Sequence, residues 1–186
     1  MSIDSARITC TGCDYETREV YRPIRIRYQT MDGIVIETGR TKGWCFDCAS
    51  YSDIERMNQE ELQEELVSKE RERHQARRRQ DELNSCFLSD FRYRSAKRQL
   101  QSQLEWLDDE IAQLGGLLEI AMNRNSKARC LTCGSERTTP LTFDAESNIA
   151  HDFQHECGGY LRITYDQSGP RFNFRASTYL LNEEGE

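Results

Sequence analysis

The chain has 186 residues, 37% of them hydrophobic and 31% charged, with a net charge of -7, and its mean hydropathy is -0.81. So polar a composition is poor material for one large apolar core and holds no run of apolar residues long enough to span a membrane. The acidic balance, with a pI near 5.2, speaks against a surface that coats nucleic acid uniformly, so charge has to be followed segment by segment.

The segment from Met1 to Cys10 contains no apolar run of the kind a secretion signal needs. A reducing, cytoplasmic setting is therefore expected for the eight cysteines, and there paired cysteines serve as metal ligands more often than as disulfides. From Ile8 to Cys48 the pattern is strand-like, with Ile24, Ile26 and Tyr28 on one face and Arg25 and Arg27 on the other. Met31-Asp32-Gly33 reads as a turn that returns the chain along Ile34-Val35-Ile36, a hairpin. Residues 1-51 are thus expected to form a small β module.

Residues 52-129 contain no proline, have glycine only at Gly115 and Gly116, and are dense in Glu, Gln, Arg and Leu, which predicts helix. Ser52-Asp53-Ile54-Glu55 matches a capping box and would start that helix sharply. Leu100, Leu104, Leu107, Ile111, Leu114, Leu118 and Ala121 form a seam spaced by alternating steps of four and three, whereas the first half of the segment is polar along the same rhythm. Cap-forming residues around Asn84 to Asp90 favour an antiparallel helical hairpin or coiled coil, the alternative being one uninterrupted rod. The lone Cys86 near the tip reads as a buried, apolar-like residue in preference to a reactive thiol. In residues 130-182 the alternation of Leu161, Ile163 and Tyr165, and then of Phe172, Phe174 and Ala176 after a Gly169-Pro170 turn, predicts a second β module. Residues 183-186 read as a mobile acidic tail. The fold class expected is α+β, with two small antiparallel β modules joined by long helices.

Cys10-x-x-Cys13 and Cys45-x-x-Cys48 have the two-residue gap that lets both thiolates of a tight turn reach one tetrahedral ion. With strands between them, they are expected to make one four-thiolate shell; a metal-free cysteine core and a redox dithiol are the lesser readings. Cys130-x-x-Cys133 and His155-x-Cys157 would make a second shell, with His151 as the alternative to His155 and with Asp152 or Glu156 as possible oxygen donors. The order of knuckles and strands at both ends resembles the zinc-ribbon family, although Asp14 and Ala49 stand where family knuckles often carry glycine. The resemblance implies two structural Zn2+ ions per chain, each in a closed shell with no open position for substrate.

Charge is segregated along the helical segment. Asp53, Glu55, Glu60, Glu61, Glu64 and Glu65 outweigh Arg56, while ten bases outweigh five acids from Lys69 to Arg98. Folding at the middle would gather Arg77, Arg78, Arg79, Arg92, Arg94, Lys97 and Arg98 near the tip, where Phe87, Phe91 and Tyr93 are available to stack on bases or simply to close the tip. No nucleophile-base set, phosphate loop or paired-carboxylate motif stands out. A non-enzyme is therefore expected, binding nucleic acid or a protein complex that handles it through this basic tip. A protein adaptor or homodimer assembled on the leucine seam is the alternative, and a metal-dependent hydrolase using His151 and His155 is the third reading. No small-molecule substrate and no membrane contact are implied.

Overall fold

The structure, a computed structural model, describes residues 5-20, 24-85, 93-166 and 177-185. Its described residues divide into two compact units: residues 57-125, and a β unit that joins everything before position 57 to everything after position 125.

In the β unit, β1 (Ser5–Cys10) and β2 (Glu16–Val20) form a hairpin, as do β8 (Ile149–Gln154) and β9 (Tyr160–Asp166). The two hairpins share one sheet, in the order β2-β1-β9-β8, because β1 pairs antiparallel with β9 from Ser5↔Asp166 to Cys10↔Leu161. A second sheet sets β5 (Arg40–Cys45) between β6 (Ser50–Glu55) and β7 (Thr138–Pro140). A third sets β3 (Ile24–Gln29) between β4 (Val35–Thr38) and β10 (Ser177–Asn182), with β10 parallel to β3. All three sheets place strands from both ends of the sequence side by side. The expected pair of separate terminal modules is therefore replaced by one β unit. The physical reason lies in the edges: a two-stranded hairpin is marginal alone, and pairing β1 with β9 gives each hairpin a neighbour on its open side.

Alternation fills the space between sheets. Ala6 and Ile8 of β1, Leu161 and Ile163 of β9, and Ala150 and Phe153 of β8 turn inward onto Trp44, Tyr51 and Leu141, making one buried cluster while Arg7, Arg162 and Thr164 stay outside. Gly43 is obligatory where β5 meets β7, since a Cβ there would lie 2.4 Å from the Thr139 carbonyl oxygen. Lys42 is ion-paired with Glu19 and Asp53, and Asp53 with Arg40, a half-buried chain of charges across β2, β5 and β6.

Ser52 and Glu55 are strand residues and start no helix. Ser52 pairs with Gly43, and Glu55 is fully buried, accepting from the Tyr28 hydroxyl at 2.8 Å and the Arg129 amide at 2.7 Å. The helix-start signal was overridden by the ladder to β5. Nor does the C-terminal tail lie loose over its described residues: Glu183 accepts from the Met31 amide, the Glu184 carbonyl from Ser126, and the Gly185 carbonyl from Arg129. The expected strand at Phe172 to Ala176 lies outside the described residues, as do Arg92 and Cys86.

Residues 57-125 form an antiparallel pair of helices, α1 (Gln59–Ser85) and α2 (Arg94–Asn123). Asn58 caps α1, its side chain accepting from the amides of Glu60 and Glu61 at 3.1 and 3.4 Å. The hairpin register is set by Gln59 to the Ala121 carbonyl, Arg73 to Asp108 and Gln80 to Gln101. The leucine seam lies on the inner side, where Leu100, Leu104 and Leu107 pack on Ala76.

Glu55 ties β3 and β6 to the segment that returns from the helices, so its loss should be felt in the whole β unit. Glu55→Ala should lower stability by about 3 kcal/mol and Tyr28→Phe by about 1 kcal/mol, because burying an unpaired hydroxyl and amide costs more than removing one donor. Urea unfolding followed by circular dichroism checks both; equal, negligible losses would contradict the burial of this carboxylate.

Candidate metal centres

Antiparallel pairing of β1 with β9 brings the β1-β2 turn and the β8-β9 turn to the same end of their sheet. The first turn carries Cys10 and Cys13, the second His155 and Cys157. Their ligand atoms gather within 4.8 Å: Cys10 Sγ lies 3.4 Å from Cys157 Sγ, and His155 Nδ1 lies 3.3 Å from Cys157 Sγ and 3.6 Å from Cys13 Sγ. The turns are laced together, with the Thr11 amide donating to the Tyr160 carbonyl and the Tyr160 amide to Thr11 Oγ1. Two glycines make so close an approach possible. A Cβ on Gly159 would sit 2.4 Å from the Gly12 amide nitrogen and 2.8 Å from Cys10 Sγ, and one on Gly12 would sit 3.1 Å from Cys157 Sγ.

The second cluster forms in the same way on the second sheet. Cys45 ends β5 and Cys48 follows in the turn to β6, while Cys130, bridged to Ile54, and Cys133 lie just before β7. Cys45 Sγ is 3.6 Å from Cys133 Sγ, and Cys48 Sγ is 4.0 Å from Cys130 Sγ. Asp47 of one knuckle fastens the other, accepting from Ser135 at 2.6 Å and from the Arg137 guanidinium at 2.7 Å.

The eight residues expected as ligands are thus gathered, but in a crossed grouping. Each cluster takes two ligands from before the helices and two from after them: Cys10, Cys13, His155 and Cys157 in one, Cys45, Cys48, Cys130 and Cys133 in the other. The sets Cys10/Cys13/Cys45/Cys48 and Cys130/Cys133/His155/Cys157 are not brought together. His151 stands apart, 3.2 Å from Ser147 Oγ and with its ring against Tyr160.

The geometry suits a tetrahedral ion. Metal-sulfur bonds of about 2.3 Å imply sulfur-sulfur edges of about 3.8 Å and sulfur-nitrogen edges of about 3.6 Å, close to the spacings above, and far longer than a disulfide bond of about 2 Å. The seven described cysteines are all free of disulfides. Backbone amides of Gly12 and Thr132 point at Cys10 Sγ and Cys130 Sγ, each at 3.4 Å, and would stabilise thiolate charge. In the first cluster the Cys157 thiol is pulled down to about 6, first by its hydrogen bond to His155 and then by the Gly159 amide, so a thiolate forms there readily. Ala49, just after Cys48, takes the left-handed conformation at φ 46° that glycine takes after Cys133, where Gly134 has φ 73°; the missing knuckle glycine is replaced by strain.

Sequence patterns did not point to the residues that join the clusters. Trp44, next to Cys45, packs edge-on against the His155 ring with centroids 5.2 Å apart, and Tyr15 packs on both rings while accepting a hydrogen bond from the Tyr51 amide. An aromatic before a knuckle cysteine is the one trace of this that the sequence carries.

Compared with protein-family models, curated proteins and solved structures, the chain matches none.

The crossed grouping has a stoichiometric consequence. Cys10→Ser with Cys157→Ser disables one cluster and should cost one bound metal ion per chain, whereas Cys10→Ser with Cys45→Ser disables both and should cost two. Elemental analysis of the two double variants decides between crossed and sequence-local shells, since the local grouping predicts the reverse.

Proposed function

We propose that the chain is a non-catalytic zinc-binding protein that docks on nucleic acid, or on a complex handling it, through the basic face near the tip of its helical hairpin. The zinc half of this reading rests on one observation: each of two clusters offers four sulfur or nitrogen ligand atoms within 4.8 Å of one another. Thiolate-rich, tetrahedral sets of this kind suit Zn2+, and a shell completed by four protein ligands leaves no position for a catalytic water. The role of the ions is then structural, tying the two ends of the chain into one β unit.

Docking is supported by electrostatics. Arg78, Arg79, Arg94 and Arg98 are exposed on the two helices, in a chain whose net charge is -7. Arg77 is exposed as well but lies 3.8 Å from Asp108, which also holds Arg73 at 3.3 Å, so it contributes less free charge than its neighbours. Lys97 is half-buried, and Arg92 lies outside the described residues. A region that is rich in exposed bases within an acidic molecule orients an anionic partner, which the rest of the molecule repels. Burial of Leu104 and Leu107 against Ala76 of the same chain weighs against a homodimer built on the leucine seam.

Changing Arg77, Arg78 and Arg79 together to Glu should abolish binding to generic single-stranded or duplex nucleic acid, while metal content and helicity stay unchanged. Partial replacement by Gln should flatten the salt dependence of log K by about one unit for each phosphate no longer neutralised, without altering sequence preference. Fluorescence anisotropy across a salt series measures this. Wild-type affinity that is absent, or indifferent to the triple change, would remove the basic face from the reading.

A further inference from the structure

The two clusters differ in how they meet solvent. In the second, Cys45 is 0% and Cys130 1% exposed, Cys48 is half-buried and Cys133 is exposed, and each of the close sulfur pairs that cross between segments contains one of the two buried residues. In the first, Cys13 and Cys157 are exposed and Cys10 is half-buried. There Cys10 Sγ and Cys157 Sγ lie 3.4 Å apart, a half-buried and an exposed cysteine on neighbouring turns 147 positions apart in the chain. The glycine-to-glycine approach of Gly12 and Gly159 removes the side chains that would otherwise hold these turns apart.

We propose that Cys10 and Cys157 are an oxidation site, at which a peroxide makes a disulfide and thereby empties the first cluster while the second keeps its ion. The proposal rests on the zinc reading for what is released, not for the bond that forms. The Cys157 thiolate attacks one peroxide oxygen, the O–O bond breaks, and hydroxide leaves a sulfenic acid on Cys157. The Cys10 thiolate then attacks that sulfur, the S–O bond breaks and a second hydroxide leaves. Two thiolates have lost two electrons in all, peroxide has gained them, and two solvent protons complete two waters. Cys13 and His155 remain as a two-ligand remnant, too few for a tetrahedral shell. The new bond holds β1-β2 to β8-β9 just where the ion held them, so release does not require unfolding. In the second cluster Cys133 alone is exposed and the sulfur beside it belongs to the fully buried Cys45, so peroxide meets one exposed cysteine there against two in the first cluster.

The test uses the full chain in a Cys86→Ser background, loaded with zinc and treated with hydrogen peroxide in molar steps. Released zinc is followed with a chromophoric chelator, and disulfides are mapped by mass spectrometry after alkylation without reductant. One of the two equivalents should be released together with a Cys10–Cys157 linked peptide, with Cys13, Cys45, Cys48, Cys130 and Cys133 recovered as thiols, and reductant plus zinc should reverse both changes. Release from the second cluster first, a Cys10–Cys13 link, or oxidation of Cys157 without any link would overturn the proposal. A chain that carries no zinc before treatment yet forms the Cys10–Cys157 bond would refute the zinc reading and leave the oxidation site standing. A zinc-loaded chain that resists peroxide would do the opposite.

Discussion

The β unit depends on the antiparallel ladder between β1 and β9, which sets the first turn of the chain against one of its last. With that ladder in place, Cys10 and Cys13 face His155 and Cys157, the ends of β5 and β7 lie close enough to gather the other four cysteines, and one hydrophobic cluster is shared between two sheets. Without it each terminal segment is a hairpin or two, with little to bury. Small β assemblies of this kind are marginal on apolar burial alone, and metal binding coupled to folding contributes on the order of 10 kcal/mol in such sites.

Chain entropy does not choose between the crossed and the sequence-local shells. Closing the long loop from Cys10 to Cys157, 147 positions, costs only about 1 kcal/mol more than closing the short one from Cys10 to Cys45, since the cost grows with the logarithm of length. That is small beside the hydrogen bonds of a six-residue ladder and the burial of Ile8, Leu161 and Ile163. Strand pairing therefore decides which cysteines meet, and the cysteines record a decision made by the sheet.

This explains what could and could not be read from the sequence. The knuckle spacings are local and chemically specific, so all eight candidate ligands were legible, as were the β3-β4 hairpin with its Gly33 turn, the alternation of β9 and the helical character of residues 59-85 and 94-123. Ligand grouping was not, because any two Cys-x-x-Cys turns can share an ion and nothing in their spacing names the partner. Ser52 to Glu55 failed for a related reason. A capping box and a strand edge look alike in four residues, and what distinguishes them is the position of Gly43 across the ladder and of Tyr28 above the carboxylate. The parallel strand β10 left no signal, since its pairing with β3 lies 150 or so positions away along the chain.

The same clamp that buries Glu55 explains how a chain can interrupt its β unit with 69 residues, 57-125, of helix. Glu55 and Arg129 exchange backbone and side-chain hydrogen bonds, Leu131 donates to the Asp53 carbonyl, and Ile54 bridges Cys130, so the strand leaving the β unit and the segment returning to it are neighbours. A loop whose ends are already held together adds little closure entropy however long it is. The helices are therefore free to be shaped by their own needs: an apolar stripe on α2 facing a polar α1, and a surface charge pattern that no core constrains. The two groups of residues accordingly belong to different units, because the eight candidate ligands lie outside residues 57-125 and the exposed arginines Arg78, Arg79, Arg94 and Arg98 lie inside them.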